Sequence, residues 1–215
     1  METTVSILSF LHTQHPASQP AVDDTLFDTA GLVITVEKTF DAPVEAVWTA
    51  IDDDHAWKWL PFPCTGVKYD SPARGVGIVR EMGSPFEPLR FLWVEREKFW
   101  RYEPNQRITF GVVSGNWLQY MLVRQYGEDK KFTDLGDGRT KVTWTIAVTL
   151  RWPLRFATWF PPLWRAAYRV VGIGPLFERR VAEIVRDTKP PLRSIHKNGI
   201  TSAEPTDHRA EEGTK

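Results

Sequence analysis

Three polar residues near the middle of the chain have the types and spacing to hold a small molecule or act on it. Tyr120 and Arg124 lie in a segment, 117–126, whose pattern predicts a β-strand, so we expect their side chains on one face. Glu95 lies in another predicted strand beside Arg96, and the pattern does not fix which of the two faces inward. An inward arginine can orient a carboxylate or an enol, and a tyrosine can donate a hydrogen bond. Arg124, Tyr120 and Glu95 are therefore candidate catalytic residues; the alternative is that they face solvent from the sheet.

Metal ligands and nucleophiles are sparse in the sequence. His55 follows the run Asp52 to Asp54, which could suggest a metal site or an acid–base pair. Consecutive side chains diverge, however, and helix capping accounts for the aspartates. Cys64 is the only cysteine, so an intramolecular disulfide and a thiolate zinc cluster are excluded. Gly75 to Gly77 lacks the third glycine of a dinucleotide fingerprint, and we expect neither a metal nor a cofactor.

The composition indicates a globular protein without a strong field of one sign. The 215 residues include 27 basic and 27 acidic side chains, and this balance argues against a nucleic-acid binder. No run approaches the ~20 apolar residues of a spanning helix, and with a single cysteine this predicts a cytoplasmic protein. Residues 1–30 and 190–215 are poor in periodic apolar residues, so we expect disordered tails around one domain at 31–189.

The central region alternates between strand and helix signals. Leu32–Phe40 is β-branched and alternating, which predicts a first strand. Pro43 begins a helix with an apolar stripe, and a second short helix is predicted at 55–60. The clearest strand is 141–150, with its apolar side chains on one face. Between these strands we predict others at 67–69, 76–82, 91–102, 108–113 and 117–126, and prolines divide the C-terminal helical region into segments 154–160, 163–171 and 175–188.

Three stretches resemble a known superfamily. Residues 40–48 read Phe-Asp-Ala-Pro-Val-Glu-Ala-Val-Trp, residues 56–61 read Ala-Trp-Lys-Trp-Leu-Pro, and residues 100–104 read Trp-Arg-Tyr-Glu-Pro, with Ile-Thr-Phe at 108–110. They resemble the START/birch-pollen-allergen-like superfamily, also called SRPBCC, and within it the polyketide cyclase/dehydrase and lipid-transport branch. The resemblance implies an α+β helix-grip fold. In that fold a curved antiparallel sheet of about six to seven strands wraps around a long C-terminal helix, with two short helices after the first strand.

The resemblance also implies an apolar cavity between the sheet and the terminal helix. Aromatic side chains on the packed faces are expected to converge there, although any one of them can instead fill a solid core. The candidate ligand-binding residues are Trp59, Phe62, Phe110, Tyr120, Arg124, Trp144, Ile146 and Phe177.

The segment 151–165 is unlike the rest of the chain because it combines Trp, Phe, Pro and Arg. Such a composition is typical of membrane interfaces and of protein contacts. From Trp152 to Trp164 the chain can form a lid over the sheet, touch a membrane transiently, or form a dimer contact. The sequence leaves these alternatives and the oligomeric state open.

Three functions follow from these observations. The first is a module that carries or senses a small hydrophobic, lipid-like or polycyclic molecule. The second is a polyketide cyclase or dehydratase acting on such a ligand. The third is a membrane- or protein-interaction module using segment 151–165. Because members of this superfamily differ in function, the fold alone does not choose among them.

Overall fold

An antiparallel sheet forms the centre of the protein, as the alternating β-branched segments predict. The computed structural model describes residues 17–52, 66–84, 93–152 and 154–188. The strands are β1 (Ala17–Ser18), β2 (Leu32–Phe40), β3 (Gly66–Tyr69), β4 (Val79–Gly83), β5 (Val94–Glu103), β6 (Arg107–Gly115), β7 (Val123–Asp134) and β8 (Thr140–Leu150). They lie in the order β2-β8-β7-β6-β5-β4-β3, and β1 pairs with β6.

One face of the sheet carries the main hydrophobic core. On β8 the predicted alternation is confirmed, since Val142, Trp144, Ile146, Val148 and Leu150 are all buried. Helix α2 (Val44–Asp52) follows β2 and buries its apolar stripe against the same core. Among the described residues, the helices that precede and follow it along the chain are α1 (Leu26–Thr29) and α3 (Trp117–Leu122).

Prolines divide the C-terminal helical region into three elements, as predicted. A 3₁₀ helix spans Leu154–Trp159, α4 spans Pro161–Val171, and α5 spans Pro175–Thr188. Phe177 of α5 packs edge-on against Phe40, with ring centroids 5.3 Å apart. Together the sheet and these helices form the helix-grip fold.

The prediction of a strand at 117–126 is wrong for its first half. Residues 117–122 form helix α3, because Asn116 caps it: the Oδ1 atom of Asn116 accepts a hydrogen bond from the Gln119 backbone at 3.0 Å. Strand β7 begins only at Val123 and continues to Asp134, beyond the predicted end at 126.

Residues 17–30 are structured, which corrects the prediction of a tail over 1–30. Strand β1 pairs with the end of β6, and Leu26 is only 2% exposed. The carboxylate of Asp24 accepts hydrogen bonds from Trp100 at 3.1 Å and from Arg101 at 2.7 Å. The sheet face opposite the main core is therefore partly covered by the start of the chain.

Several predictions lie outside the described residues. They are the short helix at 55–60, His55, Cys64, and the tails at 1–16 and 190–215. Within the described part of the chain, no helix is long and apolar enough to cross a bilayer.

Candidate functional site

A cavity of about 410 Å³ lies between the inner face of the sheet and the region formed by the 3₁₀ helix and α4. Its apolar lining comes from Met82, Leu122, Val123, Val148, Leu150, Leu154, Ala157, Val171 and the rings of Trp93, Tyr126, Trp144, Trp164 and Tyr168. Its polar lining comes from Arg80, Glu95, Glu97, Gln119 and Glu128. Ligand pockets commonly combine a large apolar surface with a few polar groups in this way.

The first buried ion pair in the wall joins Arg80 and Glu97, which are directly opposite each other on β4 and β5. Arg80 Nε donates to Glu97 Oε2 at 2.7 Å, and each side chain is 2% exposed. The Arg80 guanidinium also lies 4.5 Å from the centroid of the Phe110 ring. Burial raises the pKa of the Glu97 carboxyl, although the charge of Arg80 opposes this.

A second buried ion pair joins Lys130 and Glu128, two residues apart on β7. The Lys130 ammonium is fully buried, 4.3 Å from the Trp144 ring and 4.5 Å from the Phe110 ring. Burial lowers the pKa of Lys130, while the attraction of Glu128 opposes that change. These rings stabilise the ammonium where water is excluded.

Two tyrosines extend this arrangement toward α4. The hydroxyl of Tyr126 donates to Glu128 Oε1, and its oxygen lies 3.1 Å from the hydroxyl of Tyr168. Burial raises the pKa of Tyr126 well above its ordinary value, and the neighbouring charge of Glu128 adds to the shift. Tyr126 therefore remains protonated at neutral pH.

Glu95 differs from the other two buried carboxyl groups because no cation among the described residues pairs with it. It is 8% exposed and lines the cavity. Burial raises its pKa well above the ordinary value, and repulsion by Glu97 and Glu128 adds to the shift. A protonated Glu95 can donate a hydrogen bond, and it leaves the two ion pairs as an electrically balanced set.

Trp144 and Gln119 carry two of the unpaired buried donors of the cavity wall, and Trp93 Nε1 is another. Trp144 Nε1 and Gln119 Nε2 are buried, and neither has a hydrogen-bond acceptor within the described part of the protein. Gln119 is held in place because its Oε1 atom accepts from the side chain of Gln19 at 2.5 Å. Buried donors are usually paired, so these two groups favour an acceptor supplied by a bound molecule.

The structure distributes the predicted site residues among three environments. Trp144 and Glu95 line the cavity. Phe110, Ile146 and Phe177 are fully buried in the core but do not line the cavity. Trp59 and Phe62 lie outside the described residues.

Tyr120 and Arg124 do not project together into the cavity, which corrects the expectation from strand periodicity. Tyr120 lies on α3, and its backbone oxygen accepts from Arg151 Nε at 2.7 Å. Arg124 is exposed on β7 and lines a separate groove on the outside. The helix between Asn116 and Val123 breaks the period-two relationship that placed them on one face.

Sequence reasoning named Glu95 but missed the other charged residues of the wall, because a charged residue on a strand usually faces solvent. The available signal was alternation with apolar residues: Glu95, Glu97 and Phe99 share one face of β5. Tyr126, Glu128, Lys130 and Phe132 share one face of β7 in the same manner. Each charged residue of these two faces is two positions along its strand from a buried aromatic residue or from another residue of the same face.

Comparison with family models identifies the family. Residues 32–170 match the model described as polyketide cyclase / dehydrase and lipid transport. The chain belongs to this family. Among curated proteins, none matches the sequence.

Solved structures show the same fold. The crystal structure of Ara h 8.0201 has a TM-score of 0.53 at 15% identity and covers 70% of this chain and 97% of its own. A START superfamily protein from Mycobacterium smegmatis has a TM-score of 0.51 at 14% identity, covering 71% of this chain and 98% of its own. Likeness at such low identity shows the fold, and this family and fold support binding of a ligand in the cavity.

Proposed function

We propose that this protein binds a small, mostly apolar, uncharged molecule whose carbonyl or hydroxyl oxygen lies against the polar part of the cavity wall. The observation that carries the proposal is that two buried donors, Trp144 Nε1 and Gln119 Nε2, belong to the wall of a mostly apolar cavity of about 410 Å³. A ligand oxygen would accept from one or both of them. Protonated Glu95 adds a third donor on the same wall.

The charges of the wall favour an uncharged ligand over a carboxylate. Arg80 and Lys130 are already paired with Glu97 and Glu128, so no buried cation in the described wall is left for a ligand anion. The wall therefore offers no net positive charge to a carboxylate, and burying an uncompensated charge in a region of low dielectric is costly. Fatty acids should therefore bind less tightly than alcohols or ketones of equal length.

The apolar lining supplies most of the binding free energy. A ligand that buries ~300 Å² of apolar surface gains roughly 7 kcal/mol before ordering costs, at about 25 cal/mol per Å². Each hydrogen bond adds about 1 kcal/mol, which is enough to select among ligands of similar size. Carrying or sensing such a molecule needs no chemistry beyond this.

A displacement assay tests the proposal. Nile red, an uncharged dye that fluoresces in apolar surroundings, should bind, and long-chain 2-ketones should displace it more effectively than carboxylates of equal length. Trp144→Phe should weaken ketone binding by about three- to tenfold, because it removes one donor while keeping a ring. Trp117→Phe, at an exposed tryptophan outside the cavity, is the matched control and should have no effect.

The outcomes separate the proposal from a filled core. If Nile red shows no saturable binding and no ketone raises the melting temperature of the protein, the proposal that the cavity binds a ligand is wrong. If carboxylates bind as tightly as ketones, the cavity binds ligands but the assignment of its polar wall is wrong.

A second candidate function is acid–base catalysis on the bound molecule, as in a cyclase or dehydratase. The observation that favours it is that Glu95 lines the cavity and that burial shifts the pKa values of Glu95 and of Lys130, which pairs with Glu128 of the wall, toward their neutral forms. Such groups can transfer protons near neutral pH. With a polyketide-like poly-β-ketone as substrate, Glu95→Gln should abolish turnover and retain Nile red binding; turnover unchanged in this variant would exclude Glu95 as the acid.

A further inference from the structure

The region after β8 has apolar side chains that point in two directions. Trp164 and Tyr168 line the cavity, whereas Trp152, Trp159 and Leu163 face solvent and are 83%, 77% and 71% exposed. Phe156, Phe160 and Val170 are also more than half exposed. We call these six exposed residues the aromatic surface. An exposed apolar surface of this kind on a globular protein indicates an interaction site.

The charges within the segment that carries the aromatic surface are all of one sign. From Arg151 to Phe177 the chain contains four arginines and no Asp or Glu. Arg155, Arg165 and Arg169 are exposed. The partner of this surface is therefore expected to carry negative charge.

A groove of about 990 Å³ borders the aromatic surface and collects further arginines. Arg124, Arg151 and Arg155 line it together with Trp152 and Trp159. Among the described residues, no carboxylate pairs with Arg124 or Arg155. The hydroxyl of Thr149 also lies in the groove lining, whereas the hydroxyls of Thr29 and Thr158, which line it too, donate to backbone oxygens. Guanidinium and hydroxyl groups in one groove suit the oxygens of a phosphate.

We propose that the aromatic surface and its arginine groove dock this protein onto membranes rich in anionic phospholipid. Tryptophan and phenylalanine side chains enter the interfacial region, where their rings are favoured. The arginines remain at the level of the phosphates, with their aliphatic stems along the apolar surface. The docking does not depend on the nature of the molecule in the cavity.

Self-association fits this surface less well. In a twofold symmetric dimer the same surface meets itself, so Arg155, Arg165 and Arg169 would approach other arginines. With no acidic residue from Arg151 to Phe177, the contact would bury like charges without compensation. An anionic bilayer supplies the missing charge.

Vesicle cosedimentation with the full chain tests the docking. Vesicles of phosphatidylcholine with about 30% phosphatidylserine should bind the protein, and pure phosphatidylcholine should bind it at least about tenfold more weakly. Trp152→Ala combined with Trp159→Ala should reduce binding by at least about tenfold, because two rings no longer insert. Each of Arg155→Gln and Arg165→Gln should reduce it by about fivefold.

Matched controls and soluble competitors make the result decisive. Val76→Ala, at a residue 69% exposed elsewhere, and Lys131→Gln, at one 53% exposed, should leave vesicle binding unchanged. Glycerol phosphate at millimolar concentration should not release the protein, because a free phosphate lacks the bilayer. The proposal would be overturned by equal binding to both vesicle types or by an equal loss of binding in the control variants. It would also be overturned if the protein bound no vesicles and instead formed a dimer that Trp152→Ala dissociates.

Discussion

Arg80 and Glu97 face each other across β4 and β5 as an ion pair in which both side chains are 2% exposed. Two charges so deeply buried contribute little net stability as a pair, but either one alone is costly. The pair is also part of the cavity wall. The same contact therefore bears on folding and on the polarity of the site.

The first prediction concerns this pair. Arg80→Met should destabilise the protein by about 3–5 kcal/mol, because Glu97 is left buried without its cation. Adding Glu97→Leu should recover a large part of that lost stability. Urea unfolding of the native protein, the two single variants and the double variant would measure this recovery. Arg139→Met removes a surface ion pair with Asp137, where both side chains are about half exposed, and should change little. Additive effects of the two buried substitutions would contradict the prediction.

The second prediction concerns the pH dependence of stability through Glu95. Its pKa is raised in the folded protein, so the protonated form is favoured there and folding is most stable below the unfolded value of 4.5. As pH rises from the unfolded value to the raised pKa, the unfolded chain releases a proton that the buried Glu95 of the folded protein retains, so stability falls. Glu95→Gln should reduce this decline, so that the variant gains relative to the native protein between about pH 5 and pH 8.

Measurement of this second prediction requires unfolding free energies from urea titrations at both pH values. Glu103→Gln, at an exposed residue on the same strand, is the matched control and should leave the pH dependence unchanged. Equal pH slopes for the native protein and Glu95→Gln would mean that Glu95 is ionised in the folded state.

The sequence predicted the sheet and the C-terminal helices well because their signals are periodic. The alternation in β8 and the prolines around α4 are local properties that fix an element without reference to the rest of the chain. Helix α3 was missed because Leu118, Tyr120 and Leu122 also fit a strand. Only the cap at Asn116, one polar residue before an apolar run, distinguishes the two.

The charged wall could not be predicted in the same way because its stability depends on partners far apart in sequence. Arg80 and Glu97 belong to different strands, and Lys130 depends on the Trp144 ring beside it on β8. From the sequence of one strand alone, each of these charged residues is predicted to face solvent. Their burial can be predicted only when the strand register, which places opposite charges beside each other, is known.

The third prediction concerns the N-terminal residues that the sequence suggested were a tail. Leu26→Ala should destabilise the protein by about 2–4 kcal/mol, because this side chain is buried against the sheet near Gly127. Val33→Ala, at a residue 38% exposed on β2, should have a much smaller effect. Urea unfolding of both variants would decide the matter, and a Leu26→Ala variant as stable as the native protein would mean that 17–30 contributes nothing to the fold.

The fourth prediction concerns the contact between α4 and the cavity. Gly172, at the end of α4, is so close to Trp144 that an added Cβ would lie 1.7 Å from the indole ring. Gly172→Ala therefore forces Trp144 to move, and Lys130 and Tyr168 both contact that ring. The substitution should cost about 1–3 kcal/mol of stability, as overpacked cores do.

Displacement of the indole should also alter the cavity, so Gly172→Ala should weaken Nile red binding several-fold as well as lower the unfolding free energy. Gly75→Ala is the matched control, since nothing lies within 4 Å of a Cβ built there. Unfolding in urea and dye titration at one temperature measure the two effects separately. If Gly172→Ala lowers the unfolding free energy but leaves dye affinity unchanged, Trp144 moves without changing the cavity wall. Because a displaced donor cannot keep its hydrogen bond, that result would contradict the role of Trp144 as a donor to the ligand.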